Sequence, residues 1–149
     1  MRYGFVCTLL LMAVTVSGCL MHQKITPVDY AWTLESVLNV DRNGAVKGPP
    51  KTPTFNAKQL FTWEQCAGTM NQPETLRLIQ NQAGFYFITA PGFKNVYVFR
   101  PGDASLELIN TIGIDPNGMS RPAFNQRVPF IQLIHGSKVF MLDEKGIKK

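Results

Sequence analysis

The side chains best suited to covalent chemistry are Cys66 and His135, the thiol and imidazole that remain once Cys7, Cys19 and His22 near the amino terminus are set aside. Nucleophilic catalysis needs such a pair within hydrogen-bond reach. No local pattern brings these two together. His135 falls in His135-Gly136-Ser137, a turn signal between two apolar runs, where a polar residue needs no function. Glycosidase-like hydrolysis asks for two carboxylates facing each other across a cleft. Glu35, Glu64, Asp103, Glu107 and Asp115 are available, and their spacing selects no pair. The expectation is no catalytic residue.

Metal binding is expected to be absent too. Two separated histidines, one free thiol and no HExxH or paired-cysteine motif make no ligand set. Asp115-Pro116-Asn117-Gly118 lacks the twelve-residue spacing of a calcium loop. No glycine-rich strand-to-helix turn suits a phosphate or dinucleotide, so no cofactor is expected. What remains for recognition is aromatic. Trp32, Phe61 and Trp63 are the candidate interaction anchors, of the kind that dominate protein interfaces. Core packing is the favoured use of these three, and two or more of them in one exposed patch would decide for recognition instead.

Charge narrows the partners. The chain has 15 Lys and Arg against 10 Asp and Glu, spread thinly, with the densest group at Lys145, Lys148 and Lys149. Nucleic-acid binding wants a basic stripe interleaved with aromatics, which is missing. Attraction to an anionic membrane surface fits better.

The first 22 residues, MRYGFVCTLLLMAVTVSGCLMH, explain why a membrane is expected. A positive amino terminus and Arg2 precede an apolar run from Phe5 to Val16, broken only by Thr8 and Thr15. Twelve residues suit the hydrophobic region of a signal peptide and fall short of the roughly 20 that span a bilayer. Small residues then lead directly into a cysteine. This resembles the lipobox of bacterial membrane lipoproteins, with Val16 at the aliphatic position, Ser17 and Gly18 at the small ones and Cys19 as the lipidated residue. The resemblance implies cleavage between Gly18 and Cys19, a diacylglycerol on the thiol, and a further acyl chain such as palmitate on the new amino group. It covers only the first fifth of the chain and says how the protein is held, not what its domain does. Under the sorting rule of enteric bacterial lipoproteins, Leu20 rather than aspartate after the cysteine implies the periplasm-facing inner leaflet of the outer membrane over the inner membrane. Cys66 would then be left without an intramolecular partner and is expected to be a small buried residue.

The division expected is a signal peptide at 1–18, a lipidated tether at 19–28, one β-rich domain at 29–144 and a disordered basic tail at 145–149. From Tyr30 to Val40, Tyr30, Trp32, Leu34, Leu38 and Val40 share one parity, which favours a strand. A helix capped by Thr26, Pro27 and Asp29 competes with it. Asn43-Gly44 signals a two-residue hairpin turn with positive φ at both centres. Three prolines in residues 47–54 make a connecting loop, with an exposed recognition strap as the alternative. Residues 55–68 fit a short helix or an irregular strand equally.

Beyond Pro73 the pattern sharpens. Residues 74–80, 84–89, 95–100 and 105–114 are strand-length apolar segments between Pro, Gly and Asn turns, and read as an antiparallel meander supplying much of the core. A helix over 71–82, capped by Asn71, is the alternative there. Residues 119–127 read as a long polar loop containing Phe124, and 128–134 with 138–143 as a final hairpin. Six to eight strands make a small mainly-β domain, an antiparallel β-sandwich or a partly open β-barrel with one or two short helices. The function expected is a membrane-anchored envelope lipoprotein acting as a non-catalytic binding or assembly module for another envelope protein. A small envelope hydrolase, or an inhibitor of one, is the alternative.

Overall fold

The computed structural model describes residues 34–50 and 52–149. The leader, Gly18, Cys19, the tether and Trp32 lie outside the described residues. Within them the chain folds as two antiparallel sheets not closed into a barrel, so the sandwich alternative holds. The first sheet has the order β2-β1-β3-β4-β5-β6, from β1 (Ser36–Val40), β2 (Val46–Lys47), β3 (Thr75–Gln80), β4 (Tyr86–Thr89), β5 (Asn95–Pro101) and β6 (Leu106–Gly113). A six-residue helix, α1 (Lys58–Trp63), interrupts the strands. The second sheet runs β10-β9-β8-β7, from β7 (Pro122–Arg127), β8 (Phe130–His135), β9 (Lys138–Asp143) and β10 (Gly146–Lys148).

The large sheet is covered on both faces, which its sequence reflects. Phe87, Ile88 and Thr89 in β4, and Val96 to Phe99 in β5, are buried consecutively instead of alternately. Pairing of Leu78 with Ile88 and of Ile88 with Tyr97 puts Leu78, Ile88 and Tyr97 on one face. That face lies under α1 and its flanking loops. Arg77, Thr89 and Val98 belong to the opposite face, toward the second sheet. Glu35 links the sheets there, accepting from Arg77 Nη1 through Oε2 at 2.9 Å and from the Phe124 backbone N–H through Oε1 at 2.9 Å. Asn110 Nδ2 of β6 donates to the Glu144 carbonyl at 3.1 Å, closing the other side. The core thus reaches past the 85–114 meander to Leu60, Phe61, Phe124, Ile131, Leu133 and Leu142. Each fully buried large side chain contributes about 1.5–3 kcal/mol.

The strand expected over residues 30–40 is β1 from Ser36 onward, with Leu38 fully buried as its parity requires. Leu34, placed on the same inward parity, is instead 70% exposed, because it precedes the paired part of the strand. The helix alternative over 71–82 gives way to β3, whose pairing with both β1 and β4 overrides the local cap signal. The first hairpin is wider than Asn43-Gly44 predicts. Gly44 has φ +79° but Asn43 does not share a positive φ, and Asp41 Oδ1 accepts the Asn43 and Ala45 N–H groups at 2.8 and 2.9 Å. The aspartate side chain organises this turn, where the dipeptide alone was expected to.

Two further expectations are corrected. Residues 119–127 are not a polar loop, since Pro122–Arg127 form β7 with Phe124 buried. Proline is tolerated because β7 is an edge: Pro122 offers no outward N–H, and the outward Phe124 N–H is held by Glu35. The basic tail is not disordered over its whole length either. Asp143 Oδ1 accepts the Lys145 and Gly146 N–H groups, which turns the chain so that β10 pairs with β9. The domain therefore extends to Lys148. His135, expected within the turn, is the last residue of β8.

Two loops at one end of the sandwich are zipped together by backbone alone. Gly92 N–H donates to the Met119 carbonyl at 2.7 Å and Met119 N–H to the Phe93 carbonyl at 2.8 Å. Gly118, at φ +85°, sits so close that a β-carbon there would lie 2.5 Å from the Gly92 carbonyl oxygen. Only glycine fits.

Candidate functional site

Phe61 and Trp63 stand two positions apart on α1 and so face different ways. Phe61 is 1% exposed and packs edge-on to Phe93 with ring centres 6.2 Å apart. It is a core residue, which removes it as an interaction anchor. Trp63 is 39% exposed and lies over Tyr97 at 5.4 Å, so one of its faces is structural and the other is open to solvent. Trp63 is therefore the anchor that remains accessible among the described residues.

The helix ends in a way that aims the next side chain. Cys66 N–H bonds the Phe61 carbonyl and Gln65 N–H the Thr62 carbonyl, a Schellman closure that drives Gln65 to φ +60°. This leaves Glu64, 7% exposed, pointing at the β4–β5 connection and β5. Its Oε2 accepts the Lys94 N–H at 2.8 Å. Its Oε1 accepts the Asn95 N–H at 3.1 Å, Asn95 Nδ2 at 2.9 Å and the Tyr97 hydroxyl at 2.9 Å. Four donors and no cation hold this carboxylate. Burial, then the bond to Glu64, pushes the Tyr97 hydroxyl well above its ordinary pKa. The arrangement is a clasp that pins α1 to the sheet, with all four donors supplied by the β4–β5 connection and β5.

The other candidate groups are likewise engaged or apart. Cys66 is half-buried, and burial followed by the charge of Glu64 raises its thiol pKa, which keeps it protonated and weakly nucleophilic. His135 Nε2 lies 3.1 Å from Asp115 Oδ2, which gives the imidazole a carboxylate partner rather than a thiol. The Asn117 N–H, then His135, holds the Asp115 carboxyl below its usual range. Glu107 pairs with Arg100 at 2.7 Å on the surface, where such a pair adds little. Asp103 is exposed in the β5–β6 turn. Glu35 joins the two sheets. Among the described residues no three His, Cys, Asp or Glu side chains cluster to hold a metal ion.

The face that carries Tyr97 also bears a groove. By strand parity Tyr86, Phe99 and Pro101 continue that face, and Tyr86 pairs with Phe99 across β4 and β5. The proline-containing excursion between Val46 and Phe55 is tied at its base by Val46 N–H to the Phe55 carbonyl and Ala57 N–H to the Gly44 carbonyl. Its returning limb forms one wall. Thr54 and Phe55 on this side, Tyr86 on the floor, and Pro101, Ser105 and Leu106 opposite enclose about 440 Å³. The expected connecting loop thus also lines a cleft. Sequence reasoning missed both this groove and the Glu64 clasp, since each joins residues 30 or more positions apart.

No family model matches this sequence, and neither a curated protein nor a solved structure matches it.

Proposed function

We propose that this chain is an exported lipoprotein held at a bilayer by lipid on Cys19, its sandwich acting as a non-catalytic binding or assembly module facing the periplasm. The observation that carries the reading is the run Ser17-Gly18-Cys19 directly after the twelve-residue apolar stretch that ends at Val16. A single acyl chain binds a membrane marginally, and a fully processed Cys19 with three chains would anchor the domain stably. Leu20 favours the inner leaflet of the outer membrane. The partner is another envelope protein, and no nucleic acid, metal or cofactor enters the proposal.

The non-catalytic part is supported by what the candidate acids and base already do. Glu35 bridges the sheets, Glu64 clasps the helix, and His135 faces Asp115. The groove between the proline-containing loop and the β5–β6 turn is the contact surface we assign to the module. Of the two loops that an inhibitor would present, 119–127 is taken up from Pro122 onward by strand β7, and 47–54 gives Pro53 and Thr54 to the groove wall. This favours the binding module over the envelope-inhibitor alternative.

The test is crosslinking in the native envelope, comparing wild type with Cys19→Ala. Wild type should capture one recurrent envelope protein from the membrane fraction, while Cys19→Ala should leave that fraction and lose the capture. Full membrane retention of Cys19→Ala would refute the anchor. Capture lost on Leu106→Arg with the fold intact would support the groove as the contact surface, and unchanged capture would refute it.

A further inference from the structure

Charge is divided unevenly between the two sheets. Residues 34–120, which build the large sheet and its covering layer, hold seven Lys and Arg and seven Asp and Glu. Residues 121–149, which build the small sheet, hold six Lys and Arg against two Asp and Glu. Nearly the whole positive excess of the chain therefore rides on 29 residues.

Strand register shows what accompanies it. The inner face of the small sheet holds Phe124, Ile131, Leu133 and Leu142, all buried. The outer face carries an apolar row, Ala123-Ile134-Val139; the next row is Asn125-Gln132-Met141-Lys148, and Phe130 pairs with Arg127 in the row beyond. Val139 is 56% exposed. Arg127 and Lys148 share this face, and exposed Lys145 and Lys149 stand at the β9–β10 turn and the chain end. The acidic strand residue there, Asp143, is held by Lys148 Nζ at 2.7 Å. Three strand spacings by six residues make this surface about 14 Å by 20 Å. The face is apolar along the Ala123-Ile134-Val139 row, crossed by the hydrogen-bonded Asn125–Gln132 pair, and cationic toward Arg127 and the β9–β10 turn.

We propose that the outer face of the four-stranded sheet docks on an anionic phospholipid bilayer. Arg127, Lys145 and Lys149 meet the headgroup charge, and Val139, Ile134 and Met141 reach the interface beside them. The large sheet and its groove then point away from the membrane, toward a partner. Charge complementarity selects this occupant: a neutral lipid surface would leave Arg127, Lys145 and Lys149 unmatched, whereas Lys148 already has Asp143. The inference deepens the membrane-held reading above. A bare Cys19 would appear in the mass of the native chain, whereas failed docking would appear in the probe described next, so the two fail separately.

The full chain, with an environment-sensitive fluorescent amino acid in place of Val139, is mixed with vesicles of phosphatidylcholine alone or with about a third phosphatidylglycerol. Emission should shift to the blue on the anionic vesicles alone. Salt near 1 M, where the Debye length is about 3 Å, should reverse it. Arg127→Gln with Lys149→Gln should weaken docking about 25-fold, roughly fivefold for each cation. The same probe at Glu107, on the large sheet, should stay aqueous. A probe at 139 that ignores lipid charge, or that moves no more than the one at 107, would overturn the proposal. So would a shift that occurs only when envelope protein is added, since that would assign the face to an acidic protein.

Discussion

Replacing Glu64 tests the claim that one buried carboxylate fixes the helix, and with it Trp63, to the large sheet. Glu64→Ala removes the acceptor for four donors at 2.8–3.1 Å, on Lys94, Asn95 and Tyr97. A hydrogen bond to a charged group contributes about 1.5–3 kcal/mol, and water entering beside half-exposed Trp63 will satisfy some of the freed donors. The net cost should be about 3–5 kcal/mol. Glu64→Gln is the sharper variant. Its amide oxygen can keep the three donors now on Oε1, but its NH2 then meets the Lys94 N–H, donor against donor. That mismatch should cost about 1–3 kcal/mol. Urea unfolding followed by Trp fluorescence reads both, and at a slope near 2 kcal/mol/M the alanine midpoint should fall by roughly 2 M. Glutamine indistinguishable from wild type, or alanine no worse than glutamine, would refute the clasp.

Tyr97 should give the protein an alkaline limit. Its folded pKa lies above the unfolded one, so its contribution is complete below about pH 10 and is lost as pH rises beyond that. Stability measured across that range should decline in wild type and less steeply in Tyr97→Phe; parallel curves would contradict this. Gly118→Ala should destabilise by at least about 3 kcal/mol, because its β-carbon meets the Gly92 carbonyl at 2.5 Å and its backbone is at φ +85°, and a midpoint close to wild type would count against the loop zipper. Gln65→Gly should act the other way. Relieving a left-handed non-glycine residue at the helix end should stabilise by about 0.5–1 kcal/mol, read as a raised thermal midpoint, and a loss would show that the Gln65 side chain contributes there.

The strands that were legible in the sequence are those whose residues carry their own explanation. Phe85 to Thr89 and Asn95 to Arg100 are apolar on both parities and bounded by Gly and Pro, and they form the centre of the large sheet. β7 was hidden because Pro122-Ala123-Phe124-Asn125-Gln126-Arg127 has one strong strand former among polar residues. Its pairing comes from β8 and its outer edge from Glu35, 89 positions before Phe124. β10 was hidden for a similar reason: a single apolar residue, Ile147, gives no period, while Asp143 builds the turn that returns the chain.

The site was less legible than the fold. Glu64 sits among Phe61, Trp63 and Cys66, and a charge surrounded by anchors was a signal available in the sequence. Its donors, 30–33 positions downstream, were not. Phe61 and Trp63 looked alike as large aromatics, and only the phase of a six-residue helix separates the buried one from the half-exposed one. The groove required knowing that the proline-containing loop folds back over Tyr86 and Leu106, which no spacing encodes.

The account rests on what Cys19 carries in the cell. Intact mass of the chain extracted from its native membrane should correspond to a protein beginning at Cys19, increased by a diacylglycerol and an amide-linked acyl chain. A chain retaining residues 1–18 with an unmodified thiol at Cys19 would contradict it.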